Sequence, residues 1–285
     1  MANFLDGDQL HKIEKGKMQQ LILRNQISEA LSNNPHNDNY VISSPPGMGK
    51  SYETEQFLST LQNKPLCIEG NSGIFNLIVD IATAVYLRQG EHIYIVLDDC
   101  DVLFEPNNIN IAKKMFDQSR KMVYGKNWRS LKGQLTELQI EAIEHFSSEE
   151  RAGFDVSTEN ITFLILTNRY LPTVNDVEKL EEGSKKHTTA TDLYAIRRRT
   201  QCNPIEMPLD VLWGYVANVV LNEQICEKFK SDIVDSEKYQ IVEWMDKYWD
   251  RVTERNLSLA EKMTKDMVRY PEMYLDIWKN NYLDY

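Results

Sequence analysis

The stretch HIYIVLDD, residues 92–99, sets five apolar side chains side by side before it ends in two aspartates. A strand with one wet face alternates apolar and polar residues. A run that is apolar at odd and even positions alike must be covered on both faces, the condition of a strand inside a parallel sheet packed between helices. YVIS (40–43), PLCIEG (65–70) and ITFLILTN (161–168) read as further strands, and a short fifth is expected at NPIEMPL (203–209). Helical patterns separate them: KSYETEQFLSTLQ from residue 50, 74–87, and INIAKKMFDQSRKMV over 109–123. An opening helix over 8–33 has Leu10, Ile13, Met18, Leu21, Ile22 and Ile27 as its apolar positions and is broken by NNPHND. Strands that alternate with helices build βαβ units. The expected class is α/β, a parallel sheet sandwiched by helices.

After Pro208 the pattern changes. Three amphipathic, aromatic-rich segments follow without a strand between them, so a small all-helical C-terminal domain is expected over 208–285, after an α/β domain with an N-terminal helix over 1–207. The polar stretch NDVEKLEEGSKKHTTATD (175–192) reads as a mobile loop. With 42% hydrophobic and 26% charged residues a packed core is available, and a formal charge of −11 argues against a surface that coats nucleic acid all round. Four cysteines without a C-x-x-C pair fit reduced thiols, and five histidines without ligand spacing give no structural zinc site. The longest apolar stretch is interrupted by Asn76 and Asp80, and the N-terminus lacks the apolar block of a signal peptide. A cytoplasmic protein with no membrane contact is expected.

Directly after the first strand comes SPPGMGKS, residues 44–51. Two glycines let the backbone turn its N–H groups toward a phosphate, Lys50 adds a mobile positive charge, and the Ser51 hydroxyl suits Mg²⁺. The spacing is that of a phosphate-binding loop, G-x-x-x-x-G-K-[ST], except that Ser44 stands at the first glycine. Alone, the loop leaves kinase, GTPase and motor ATPase open. The third strand ends in Asp98 and Asp99, at the edge of the sheet where α/β proteins bind ligands. One carboxylate for a metal and one for water is what nucleotide hydrolysis needs. The fourth strand ends in Asn168, whose amide suits an attacking water, and AIRRRT puts Arg197, Arg198 and Arg199 in a row.

Together these stretches resemble the AAA+ ATPase family over roughly residues 10–265. SPPGMGKS is similar to the family's G-P-P-G-T-G-K-[ST], LDDCDVLF to I-D-E-I-D-x-L, LILTN to the sensor-1 strand, and AIRRRT to the box A-L-R-S-R-C before a helical lid. The short, single-module form is similar to ATPases encoded by tailed phages, which would place it in a host cytoplasm. The resemblance implies an ATP- and Mg²⁺-dependent hydrolase that works as a ring, with a hexamer as the expected form. It assigns ATP binding to Pro46, Gly47, Met48, Gly49, Lys50 and Ser51, and the metal to Ser51 and Asp98. Asp99 polarises the attacking water, Asn168 positions it, and Arg199 reaches the nucleotide of a neighbouring subunit.

Two departures stand out. Asp99 occupies a position where the family carries Glu, and Ala260 replaces the sensor-2 arginine, with Lys262 or Arg255 as substitutes. The client, protein or nucleic acid, is left open. The alternatives are a loader-like replication ATPase acting on DNA or a helicase, and an ATP-bound assembly switch with slow hydrolysis. Two stretches have two readings each. Gly73, Ile74 and Phe75 suit a pore loop, or Phe75 is core. The basic segment 112–133, with Tyr124 and Trp128 interleaved, suits a nucleic-acid contact, or is a solvated face with Trp128 packed inward.

Overall fold

The computed structural model describes residues 5–32, 38–70, 73–88 and 90–284. The expected break at 33–37, and Asn71 and Ser72 ahead of the suggested pore loop, lie outside the described residues. In chain order the structure runs α1 (Gly7–Leu31), β1 (Tyr40–Ser43), α2 (Lys50–Thr60), β2 (Leu66–Glu69), α3 (Ile74–Arg88) and β3 (Ile93–Asp98). Next come α4 (Ile109–Phe116), β4 (Lys121–Tyr124), α5 (Glu137–Phe146), β5 (Phe154–Ser157), β6 (Ile161–Thr167), α6 (Val174–Glu178), α7 (Lys185–Arg197) and β7 (Gln201–Pro204). The chain closes with α8 (Leu209–Asn222), α9 (Asp235–Tyr248), α10 (Leu257–Arg269) and α11 (Tyr274–Tyr282). It divides into two compact units. One comprises Met1–Asn25, Pro45–Thr54 and Ile205–Tyr285, the other Gln26–Ser44 and Glu55–Pro204.

The second unit holds a parallel five-stranded sheet in the order β2-β3-β6-β1-β7. All seven residues of β6 are buried, as a strand covered on both faces requires. From β1 the chain jumps to the edge at β2 and returns through β3 and β6, so the strand order reverses beside β1, where α/β sheets form their ligand crevice. Ser43 lies opposite Thr167, and Asp98 opposite Leu166. The expected ligand-bearing ends of β1, β3 and β6 therefore share one sheet edge. β7 starts two residues earlier than expected and stops at Pro204, which sits on an edge strand where its missing N–H costs least.

Three local expectations need correction. The helix read over 109–123 stops at Phe116, because Asp117 accepts from the Ser119 N–H and hydroxyl and Arg120 takes a left-handed φ of 43°. Residues 121–124 then pair with 154–157 as an antiparallel ribbon. The stretch read as a mobile loop is largely helical: Thr173 and Asp176 form a capping box for α6, and Ser184 caps α7. The third correction is the face of α1. Leu10, Met18, Leu21 and Ile22 are exposed, while Ile13, Gly16, Gln20, Leu23 and Ile27 are buried. Gly16 decides this, since a Cβ there would stand 2.0 Å from the Tyr215 backbone nitrogen. Close backbone approach selected the buried face over hydrophobicity.

The first unit carries the all-helical C-terminal region. α8 is buried from Leu212 to Val220, which explains its lack of amphipathic contrast. Trp244 and Trp278 meet edge to face at 5.7 Å, and the Trp249 indole donates to the Leu209 carbonyl at 2.9 Å.

Candidate nucleotide site

The loop between β1 and α2 behaves as its glycines require. Gly47 and Gly49 have φ of 84° and 79°, values that side-chain-bearing residues rarely adopt. Space demands glycine as well: a Cβ on Gly47 would meet Asn256 Cβ at 2.5 Å, and one on Gly49 would meet the Tyr215 hydroxyl at 1.9 Å. Pro46 is exposed, Met48 is buried, and Ser51 is exposed at the start of α2. Lys50 is buried, with Nζ 3.4 Å from the Pro45 carbonyl that accepts from it. Successive backbone N–H groups in such a turn, leading into a helix N-terminus, form a concavity suited to anions.

The sheet edge brings two of the expected site residues together. Asn168 Nδ2 donates to Asp99 Oδ1 at 2.9 Å. Asp99 has a left-handed φ of 52°, and its N–H donates to the Leu166 carbonyl at 3.2 Å, so the backbone turns sharply out of β3 while staying tied to β6. Asp98 remains in the strand, and its carbonyl accepts from the Gly70 N–H. Behind the pair, Thr167 Oγ1 donates to Asp101 Oδ1 at 2.5 Å, and Arg169 Nε lies 3.5 Å from Asp101 Oδ2. Burial first, then the charges of Asp98, Asp101 and Asp99, push the Cys100 thiol up to about 12. Cys100 stays a buried thiol.

The three arginines go three ways. Arg197 Nη1 donates to the Leu171 carbonyl at 2.6 Å, and Arg198 lies over the Tyr194 ring. Arg199 is exposed and donates to the Ala195 carbonyl at 3.0 Å. Burial raises the nearby Asp117 carboxyl, but the Ser119 hydroxyl and N–H, together with the Arg199 and Lys114 charges, bring it below the usual range.

Ala260 is buried, and both suggested substitutes are engaged elsewhere. Arg255 donates to the Trp249 and Asp250 carbonyls, and Lys262 pairs with Glu254 at 2.6 Å. Phe75 packs at 4.9 Å from Tyr124 and joins the core of the sheet unit, and Trp128 is buried, which favours the core reading of both aromatics. In the basic segment Arg129 lies over Trp128, and Lys132 pairs with Glu144.

Sequence reading missed a buried polar cluster beside the phosphate loop. Glu53, fully buried in α2, accepts from Gln20, Arg24 and Tyr215. Its partners come from residues distant in sequence, and no local pattern marks them.

These features define a parallel α/β protein with a glycine-shaped anion loop and a carboxylate–amide pair at its sheet edge. No family model matches the chain, and no curated protein matches it. Among solved structures it is similar to RuvB of Thermotoga maritima, described as a Holliday junction branch migration motor. The identity is 13%, over 92% of this chain and 69% of that one, with a TM-score of 0.45. A threonine-to-valine variant of the same protein is similar at 13% identity, over 94% and 68%, with a TM-score of 0.44.

Proposed function

We propose that this protein is an ATP hydrolase of the AAA+ type. The observation that carries the reading is the Asn168–Asp99 hydrogen bond at the carboxyl edge of the sheet. Two residues that the sequence singles out at the ends of separate strands are hydrogen-bonded to each other, which supports a joint role beside an attacking water. In this reading the N–H groups of Pro46-flanked Gly47, Met48, Gly49 and Lys50 receive the β- and γ-phosphates, with the Lys50 ammonium as their mobile cation. The hydroxyl of Ser51 and the carboxylate of Asp98 are hard oxygen donors of the kind Mg²⁺ takes, and in this reading they would hold it. When bound, Mg²⁺ neutralises charge on the phosphate oxygens. Asp99 accepts a proton from the attacking water, and the Asn168 amide fixes the direction of the Asp99 carboxylate.

Arg199 is proposed to act across a subunit interface in a ring, a hexamer in the simplest form. Its exposure at the end of α7 supports a role outside its own site. The helices after residue 207 are proposed as the lid domain. Work on a protein or nucleic-acid client would follow from nucleotide cycling. A second reading, an ATP-bound assembly switch with slow turnover, draws support from the buried Ala260 and from the engagement of Arg255 and Lys262.

The test is ATP binding and phosphate release measured on three proteins. Lys50→Ala should lose affinity strongly, and Asp99→Asn should bind ATP and stop turning over. Parent-like hydrolysis by Asp99→Asn removes Asp99 from the mechanism. ATP-dependent assembly with negligible parent turnover selects the switch.

A further inference from the structure

A carboxylate buried with no exposed surface is costly unless charge and hydrogen bonds compensate it. Glu53 meets that condition one turn into α2, next to the loop that the proposed function gives to phosphate. Its Oε1 accepts from Gln20 Nε2 at 2.8 Å and from the Tyr215 hydroxyl at 2.9 Å, and Oε2 accepts from Arg24 Nε at 2.5 Å. Arg24 Nη2 also donates to Glu223 at 2.6 Å, where Gln20 Nε2 and the Tyr52 hydroxyl donate as well. Asn218 Nδ2 donates to Gln20 Oε1 at 2.7 Å. The cluster thus ties α1, the first turn of α2 and α8 through one buried carboxylate.

One side-chain contact aims this cluster at Gly49: the Tyr215 hydroxyl fills the space a Gly49 side chain would take, while the Glu53 N–H to Gly49 carbonyl bond, at 2.9 Å, is the first backbone bond of α2. Tyr215 has a single O–H proton and gives it to Glu53, so the hydroxyl oxygen is fixed against the loop backbone. With Ala260 in place of a cationic contact from α10, α8 supplies another link between the helical region and the loop.

We propose that Tyr215 and Glu53 are positioning residues: they hold Gly49 in its left-handed, phosphate-ready conformation and couple the loop to α8 and α1. The proposal rests on the nucleotide reading of the loop. It predicts that loss of the Tyr215 hydroxyl loosens the loop beyond its cost to the fold, because Glu53 keeps Gln20 and Arg24 as donors while Gly49 loses the oxygen packed against it. The experiment titrates ATP and AMP against the full chain, Tyr215→Phe, Glu53→Gln and Lys50→Ala, with a nucleotide-free thermal melt and steady-state kinetics on each. The expected result for Tyr215→Phe is a melt lowered by a few degrees, since Glu53 loses one donor, with an ATP Kd and KM raised together by about tenfold, a smaller fall in kcat, and a reduced preference for ATP over AMP. Glu53→Gln should show the same loss of preference. Parent-like ATP affinity in a folded Tyr215→Phe protein overturns the proposal, and so does an equal loss of ATP and AMP binding. If Lys50→Ala still weakens ATP in that case, the nucleotide reading stands and only the positioning role falls. A parent protein that binds no ATP overturns both.

Discussion

Asp99 is held at φ 52°, a conformation that Asp and Asn tolerate far better than longer side chains. This gives the aspartate a backbone reason for standing where the resembled family has glutamate. Asp99→Asn should keep both the turn and the hydrogen bond from Asn168, so its melting temperature should match the parent while turnover is lost. Asp99→Glu must put a longer side chain on the same backbone at a cost of about 1 kcal/mol, read as a melt lowered by a few degrees. If Asp99→Glu melts with the parent and turns over faster, side-chain length governs the step and the turn does not. Asn168→Ala frees the carboxylate, and kcat should fall by about a hundredfold with ATP binding retained, checked by single-turnover phosphate release. These residues were legible in the sequence because each is a local exception: glycines that a loop needs at positive φ, or polar residues ending an apolar strand. Glu53 was not. A glutamate near a helix N-terminus looks ordinary, and its meaning comes from Arg24 and Tyr215, 29 and 162 residues away.

At the scale of elements, the central strands were readable because burial on both faces leaves continuous apolar runs. The ribbon of β4 and β5 was not readable, since lysines beside apolar residues at 113–122 fit a helix face until Asp117 and Arg120 break it. The face of α1 was misread because Gly16 and Gln20 carry no apolar signal, although both are buried. Phe75 tests how this unit is built. Its ring lies between α3 and the ribbon, against Tyr124, whose own ring is 5.7 Å from Phe154. Phe75→Ala should destabilise by about 2–4 kcal/mol, toward the lower end for phenylalanine truncation because the ring is only half-buried. The measurement is a denaturant or thermal melt. An unchanged melt with a lost client response would instead mark a ring that grips a substrate.

For the whole molecule, the open step is how the proposed site is completed. Arg199 lies just past the end of α7, exposed, with its guanidinium resting on the Ala195 carbonyl, a bond that a phosphate could replace at little cost because the side chain already has water around it. An arginine supplied to a phosphoryl group contributes on the order of 10³-fold or more to the rate. Arg199→Ala should therefore bind ATP like the parent and lose nearly all turnover. The position of the arginine, in its own subunit's site or a neighbour's, is decided by mixing. Lys50→Ala chains have the arginine but a weakened nucleotide loop, and Arg199→Ala chains have the reverse. If the arginine acts in trans, a mixed assembly contains interfaces where an intact loop meets an intact arginine, and hydrolysis should recover to a fraction set by the mixing ratio. If it acts in cis, every subunit lacks one part and no ratio restores activity. Light scattering or native mass spectrometry on the same samples establishes that the two variants co-assemble, so an absent recovery in mixed assemblies would count directly against Arg199 acting between subunits.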